Sequence, residues 1–177
     1  MKSKIFGLTL AAMLVSAAMP VSAQSVGTGK VNFNGLLTDQ TCTITTGYED
    51  QLVTLPTLST KSLTQATETA GSTPFDILVE ECPAALTQVR AHFEMTNMDA
   101  ATRTLQNNAT TGAAGNVTVQ LVNADRTVIE AGSAGALFDV NATTHKATMT
   151  YGGQYYATAA TTPGIVQSFA EFTLAYP

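Results

Sequence analysis

Residues 147–157 read Ala-Thr-Met-Thr-Tyr-Gly-Gly-Gln-Tyr-Tyr-Ala, and this stretch decides the fold class. Every second position carries an apolar or aromatic side chain, and the phase continues across the two glycines: Ala147, Met149, Tyr151, Tyr155 and Ala157. A period of two residues indicates a strand with one face in a core. A two-residue hairpin at Gly152-Gly153 would instead put Gln154 on the same face as Tyr151. The unbroken phase therefore predicts one long strand with a glycine bulge.

Four other stretches alternate in the same way. Their apolar positions are Phe75, Ile77 and Val79; Val89, Ala91, Phe93 and Met95; Val117, Val119 and Leu121; and, after a turn at Pro163-Gly164, Val166, Ala170, Phe172, Leu174 and Tyr176. Residues such as Thr118 and Gln120 are expected to face water. Residues 107–115 and 132–135 are typical of loops, and residues 59–69 have room for one short helical turn. Short strands with turn signals and no helical period predict an all-β sandwich.

Composition limits the function classes. The 177 residues are 45% hydrophobic and 12% charged, with a net charge of −5. Such a chain is too apolar for disorder and has the length of one domain. Its scattered lysines and arginines do not favour nucleic-acid binding, which needs clustered cations. No apolar run reaches the roughly 20 residues of a membrane-spanning helix.

Residues 1–23 have the layout of a secretory signal peptide. Lys2 and Lys4 form a positive head, residues 5–15 are predominantly apolar, and small residues end at Ala23, where cleavage is expected. A membrane anchor is the alternative, but this apolar core has about half the length that a bilayer requires.

Cys42 and Cys82 are the only two cysteines. In an oxidising compartment a lone pair is most simply a disulfide. The loop that it closes would contribute about 3–4 kcal/mol in the chain-entropy model. Reactive thiols are the alternative, but the sequence places no histidine or basic cluster nearby.

The titratable residues do not form a catalytic set. His92 has Glu94 two positions on, which supplies two metal ligands and no third, so an exposed surface pair is expected. Glu80 and Glu81 are adjacent at a strand end, where neighbouring side chains face opposite sides and cannot flank one substrate. No nucleophile elbow or phosphate-binding loop occurs. The sequence therefore predicts no enzyme, no cofactor and no metal site.

Residues 30–38 precede the disulfide framework and also alternate. Val31, Phe33, Gly35 and Leu37 fall on one face. Periodicity alone favours an ordinary first strand of the chain's own sandwich. Gly35 is the anomaly, because a glycine weakens a strand unless another backbone must approach closely.

Several short pieces occur in a characteristic order along residues 24–177. They are Gly29-Lys30-Val31-Asn32-Phe33-Asn34-Gly35, Cys42, Phe75-Asp76-Ile77 leading to Cys82, Asn116-Val117-Thr118-Val119-Gln120-Leu121, Tyr155-Tyr156-Ala157-Thr158 and the ending Phe172-Thr173-Leu174-Ala175-Tyr176-Pro177. In this order, behind a signal peptide, they make the chain similar to major pilins of the chaperone–usher family, the rod subunits of type 1 and P pili.

The resemblance implies an incomplete immunoglobulin-like sandwich that lacks its last strand. A periplasmic chaperone, and then a donor strand from a neighbouring subunit, would fill the resulting groove. Residues 24–40 would be the donor extension and residues 41–177 the pilin domain. The resemblance places Val31, Phe33, Gly35 and Leu37 in the donor strand, and Phe172, Leu174, Tyr176 and Pro177 at the acceptor groove and chaperone contact.

The implied function is that of a structural shaft subunit. It would polymerise with identical subunits after its chaperone delivers it to an outer-membrane usher, forming an extracellular fimbrium that supports adhesion of a Gram-negative cell. It would bind no nucleic acid and would not be membrane-embedded when mature. One alternative is a minor fimbrial adaptor subunit. The other is a secreted monomeric all-β binding protein or lectin in which residues 30–38 complete the chain's own sandwich.

Overall fold

A computed structural model describes residues 30–35 and 41–177 of the chain. Its contacts group the chain into two units, Met1–Leu36 and Leu37–Pro177. The predicted signal peptide lies outside the described residues. Residues 41–177 contain the following strands: β1 Thr43–Ile44, β2 Thr69–Glu80, β3 Gln88–Phe93, β4 Val117–Asn123, β5 Val128–Ile129, β6 Phe138–Asp139, β7 Ala147–Ala157 and β8 Phe172–Ala175.

These strands form two antiparallel sheets. The larger sheet has the order β1-β2-β7-β4-β5, and the smaller has the order β6-β3-β8. One cluster of buried side chains joins them, with Ile77 and Met149 from the larger sheet and Val89 and Phe93 from the smaller. The prediction of an all-β sandwich is confirmed. The predicted helical turn is a single 3-10 turn at Thr60–Ser62.

The central strand β7 runs unbroken from Ala147 to Ala157, as predicted, but the predicted bulge at its glycines is wrong. Its pairing with β4 keeps one register throughout. The irregularity lies in β2 between Ala70 and Thr73, where Gly71 has a φ of +69°. Gly152 serves close packing instead, because a Cβ there would lie 3.1 Å from Val122 Cγ2 and 3.2 Å from the Thr73 carbonyl oxygen.

Strand β4 is buried on both faces, so the prediction that Thr118 and Gln120 face water is wrong. Each polar side chain has a partner in its buried position. Thr104 Oγ1 donates to Thr118 Oγ1 at 2.7 Å, and Gln154 Nε2 donates to Gln120 Oε1 at 2.8 Å. These hydrogen bonds remove the cost of burying the two polar groups. The outer face of β4 can therefore be covered by neighbouring residues that carry polar partners, such as Thr104 and Gln154.

Strand β3 follows its predicted alternation as far as Phe93, where it ends. Val89, Ala91 and Phe93 are buried. Met95 was predicted on the same face, but it lies beyond the strand end and is 59% exposed. The apolar alternation of the sequence extends to Met95, but the backbone after Phe93 is no longer a strand, so Met95 does not share the buried face.

Tyr151 of β7 joins the two sheets at the centre of the core. Its ring meets Phe93 and Phe138 edge-on, with centroids 5.3 and 5.5 Å apart. Its hydroxyl accepts from the Ala91 N–H at 3.0 Å and donates to the Ala136 carbonyl at 3.1 Å. Burial raises the pKa of this hydroxyl above its usual value, so it stays neutral and keeps both hydrogen bonds at ordinary pH.

The disulfide between Cys42 and Cys82 forms as predicted. Cys42 precedes β1 and Cys82 follows β2, and these two strands pair antiparallel. Both cysteines are buried. The bond therefore fastens the short edge strand β1 to the sheet, which two backbone pairs alone would hold weakly.

Tyr151→Phe tests the core hydroxyl. We expect the change to lower the free energy of unfolding by about 1–3 kcal/mol, because the Ala91 N–H loses its buried partner. Denaturant unfolding of the monomeric subunit measures the effect. Tyr156→Phe on the same strand is the matched control, since Tyr156 is half-buried and its hydroxyl donates no hydrogen bond within the described residues. Equal stability of the two variants would contradict the assignment.

Cys42→Ser tests the disulfide. We expect a loss of about 3–4 kcal/mol, as the entropy of the freed loop predicts, and a lower yield of soluble exported subunit. Thermal unfolding and quantification of periplasmic protein check the two expectations. A yield equal to that of the unmodified chain would show that the covalent link is dispensable.

Candidate strand-binding groove

A groove of about 420 Å³ opens between two extended segments of the domain. Residues 48–55 line one side, and residues 166–172 line the other. Its floor consists of apolar side chains drawn from both sheets: Ile77, Phe93, Leu105, Val119 and Leu121. The groove thus exposes a path along the core where the sandwich is not covered by a strand.

The first wall consists of residues 166–171 and continues into β8, whose outer edge has no strand partner among residues 41–177. On the side of β3 that faces away from β8, the backbone groups of Phe93 and Ala91 form hydrogen bonds with the backbone of residues 132–135. Phe172 and Leu174, which pair with them across β3 and β8, are therefore at positions without mutual hydrogen bonds. In an antiparallel ladder such residues turn their own N–H and C=O groups outward. These groups face the open edge.

The second wall is the segment of residues 48–55. From residue 49 to residue 58 the backbone makes no backbone–backbone hydrogen bond within the described chain. Val53 and Leu55 are half-buried, whereas Leu52, which directly precedes Val53, is 94% exposed. The alternation is that of a strand, but no sheet neighbour satisfies its backbone. The groove therefore lies between two unpaired edges.

The groove interior carries little charge. Burial raises the pKa of Tyr155, which lies in its wall, so the phenol is neutral at ordinary pH. Glu49 and Asp50 are exposed at its rim. An occupant must therefore present apolar side chains inward and may carry cations only at the rim.

The structure puts the predicted acceptor residues in different places. Phe172 lines the groove and packs on Phe93, with ring centroids 6.4 Å apart. Leu174 is half-buried farther along the same face of β8, beyond the groove lining. The Tyr176 hydroxyl accepts from the Cys42 N–H at 2.8 Å and lies 2.5 Å from Thr41 Oγ1. Pro177 is exposed. Tyr176 thus ties the chain terminus to the disulfide end of the domain.

Three of the predicted donor residues, Val31, Phe33 and Gly35, belong to the unit Met1–Leu36. Residues 30–35 form no strand. Val31 is 75% exposed and Phe33 is 90% exposed, and nothing lies within 4 Å of where a side chain on Gly35 would be. Leu37 lies outside the described residues. Two large apolar side chains are thus exposed in a segment whose sequence alternates.

Sequence reasoning missed the second wall and Leu105 of the floor, whereas Ile77, Phe93, Val119 and Leu121 lie on strand faces that alternation predicted to be apolar. The alternation of Val53 and Leu55 was present but spans too few residues to be distinguished from a loop. Leu105 lies in the floor because its backbone forms an isolated antiparallel bridge with Val119. No local sequence pattern predicts this bridge. The alternating runs that contain these four floor residues, and the run from Ala170 to Tyr176 that includes Phe172, gave the usable signals.

The residues that the sequence offered for catalysis or metal binding do not come together in the described part of the chain. Among the described residues no three His, Cys, Asp or Glu side chains come together as a metal site. Glu80 pairs with Lys146 at 2.8 Å, and Glu81 accepts from Thr43 Oγ1 at 3.1 Å. The backbone carbonyl of His145 accepts from the Cys82 N–H. Within the same residues, no helix has the length and apolar character needed to cross a membrane.

Known proteins similar to this chain are fimbrial subunits. The family described as "FimA: Type-1 fimbrial protein, A" matches residues 55–177. "F17 fimbrial protein" of Escherichia coli is 41% identical, covering 92% of this chain and 94% of its own. "Major fimbrial subunit SMF-1" of Stenotrophomonas maltophilia (strain K279a) is 40% identical, covering 90% and 98% respectively.

Solved structures of pilus subunits share the fold. The P pilus rod subunit PapA superposes with a TM-score of 0.60 at 19% identity, covering 77% of this chain and 99% of its own. A chaperone–usher pilus subunit gives 0.59 at 24% identity, covering 90% and 100%. This likeness confirms the predicted incomplete immunoglobulin-like sandwich. With the family match over most of residues 41–177, it leads to one conclusion: the chain belongs to the type-1 fimbrial protein family.

Proposed function

We propose that this chain is the shaft subunit of a surface fimbrium and that subunits join by strand insertion. In this proposal residues 24–40 of one subunit occupy the groove of the next. The same chain thus acts as donor at one end and acceptor at the other, so identical subunits form a linear fibre. The protein has a structural role, and no catalytic step belongs to it.

The observation that carries the proposal is the pair of unpaired edges around an apolar floor. The backbone groups of Phe172 and, beyond the groove lining, of Leu174 face outward on one side. On the other side, residues 49–58 make no backbone–backbone hydrogen bond with any described residue. Only an extended strand can bond both edges at once, because it offers backbone donors and acceptors on both sides. Its alternate side chains can enter the floor while the others remain in water.

The donor segment has the matching properties. Val31, Phe33 and Leu37 are apolar at intervals compatible with one strand face. Gly35 lies on that face between Phe33 and Leu37, where its missing side chain would let the donor backbone approach the floor. Lys30 at the start of the segment can stay at the acidic rim formed by Glu49 and Asp50. Residues 24–29 would be a leader outside the groove.

An open groove also needs protection before assembly. An unpaired strand edge beside exposed apolar groups promotes aggregation. We therefore infer that a periplasmic chaperone lends a strand to the groove after export and delivers the subunit to an outer-membrane usher. Exposed Pro177 offers its terminal carboxylate to basic residues of that chaperone. The finished fibre lies outside the cell and supports adhesion.

A minor fimbrial subunit is the second candidate. "Minor fimbrial subunit HifD" of Haemophilus influenzae is 33% identical and covers 98% of this chain. The relatives at 40–41% identity include one described as a major subunit, which favours the shaft. A self-contained lectin is disfavoured because residues 30–35, which would have to complete its sandwich, form no strand.

Addition of a donor peptide tests the acceptor groove. We expect a chain beginning at Thr41 to melt at a higher temperature when a peptide of residues 24–40 is added. Each kcal/mol contributed by the inserted strand should raise Tm by about 3 °C for a domain of this size. Differential scanning calorimetry measures the shift. A peptide with Arg in place of Gly35 is the control and should give little shift.

The full mature chain distinguishes insertion between subunits from completion within one subunit. If it forms polymers, or remains unstable until another donor is supplied, strands pass between subunits. A stable monomer that ignores the added peptide would instead show a self-contained sandwich and refute the proposed function.

Gly35→Arg tests the donor strand in fibres. We expect fibres to disappear while binding to the chaperone persists, because the bulky cation would strike the neighbour's groove but leaves the subunit's own groove unchanged. Electron microscopy of cells and co-purification with the chaperone are the two measurements. Asn32→Arg adds the same charge on the opposite face and should still assemble. Normal fibres from Gly35→Arg would falsify the donor assignment.

A further inference from the structure

Asn34-Gly35 is the only Asn-Gly pair in the 177 residues. Asn34 is exposed, and residues 30–35 form no strand. Nothing lies within 4 Å of the position that a side chain on Gly35 would occupy. Within the described residues, no strand pairing and no neighbouring group at the Cβ position therefore restricts the backbone at Gly35.

This arrangement suits an intramolecular reaction of asparagine. The backbone nitrogen of Gly35 attacks Asn34 Cγ, a new N–Cγ bond forms, and the Cγ–Nδ2 bond breaks as ammonia leaves. The resulting succinimide is hydrolysed by water. Addition at one carbonyl gives aspartate, and addition at the other gives isoaspartate, in which the main chain runs through Cγ. No oxidant, metal or enzyme is required.

Glycine at the following position makes the reaction fast. The nitrogen reaches Cγ only in backbone conformations that a side chain on the following residue obstructs, and glycine obstructs them least. Asn32 in the same segment is followed by Phe33, which crowds the attack. In the domain, Asn141 Oδ1 is held by the N–H groups of Thr143 and Thr144 at 2.9 Å. Such bonds fix the side chain away from the ring-closing geometry.

We infer that Asn34-Gly35 is a site of spontaneous deamidation in the unassembled subunit, and that the isoaspartyl product cannot act as a donor strand. The second part rests on the proposed function. An isoaspartyl linkage adds one backbone carbon between Phe33 and Leu37, which breaks the two-residue period needed to place both on one face. Insertion protects the site, because strand pairing holds the backbone extended and engages its amides.

The first experiment follows the chemistry in the full mature chain. The subunit, held apart from fibres by its chaperone or by dilution, is incubated at mildly alkaline pH and compared with assembled fibres. Peptide mapping by mass spectrometry gives the rate at each asparagine, and released ammonia gives the total rate of deamidation. Residue 34 should react about tenfold or more faster than Asn32, a barrier difference that the freedom of glycine can supply. Asn34→Gln should abolish the fast phase, since its ring closure is slower.

The outcomes of this experiment separate the two claims. A rate at residue 34 no greater than at Asn32 would overturn the modification site and leave the proposed function untouched. A fast reaction in the free subunit that persists unchanged in fibres would show that assembly does not cover the segment. That result would overturn the protection step and count against strand insertion.

The second experiment measures donor competence. Peptides of residues 24–40 carrying Asn, Asp or isoaspartate at position 34 are titrated onto the full-length Gly35→Arg chain, whose own donor is blocked. Aspartate should bind nearly as well as asparagine, because residue 34 faces away from the groove, whereas isoaspartate should lose about tenfold or more in affinity. Equal binding of the isoaspartyl peptide would overturn the inference. Failure of the unmodified peptide would refute strand donation itself.

Discussion

The open edge of β8 is the constraint on which the rest of the structure depends. Phe172 and Leu174 direct their backbone groups away from β3 because Ala91 and Phe93 already bond on their other side. A buried N–H or C=O left without a partner costs about 1–3 kcal/mol. The domain can therefore not close over its own apolar floor without a backbone that bonds this edge, and no described residue supplies one.

The floor stays in place because both sheets are held together beside it. Phe93 belongs to the floor and also packs edge-on against Tyr151. The Tyr151 hydroxyl bonds the backbone of Ala91, which precedes Phe93 by one strand repeat. The ring and the hydroxyl thus set the spacing between β7 and β3. Because this spacing is set inside the core, the apolar floor keeps its position beside the open edge of β8.

Local alternation predicted the strands but not their surroundings. Val89, Ala91 and Phe93 alternate to the end of β3, and Ala147, Met149 and Tyr151 alternate in the first half of β7, so these faces were predicted correctly. Burial of Thr118 and Gln120 depends on partners at Thr104 and Gln154. These contacts join residues far apart in sequence, and a two-residue period carries no information about them.

The parts of the site that are formed by one continuous stretch of sequence could be predicted, and the other parts could not. The alternation of the proposed donor strand from Val31 and the alternation of the proposed acceptor strand from Ala170 to Tyr176 are continuous patterns. The wall of residues 48–55 has only one clear repeat, and the Tyr176 hydroxyl depends on Cys42 and Thr41 at the far end of the domain. The role of each glycine was also ambiguous from the sequence, because it depends on residues that are distant along the chain. At position 152 it admits a neighbouring strand, whereas at position 71 it permits a bulge.

Gly35 is subject to two opposing demands. In the proposed donor strand its missing side chain lets two backbones approach, which a larger residue would prevent. The same lack of a side chain gives the backbone after Asn34 the freedom that succinimide formation requires. Any residue that slowed the reaction by restricting the backbone would also add atoms where the groove has least room. Chemical lifetime before assembly and fit after assembly are thus linked through one position, so prompt insertion is the means by which the chain can keep the glycine and preserve the strand.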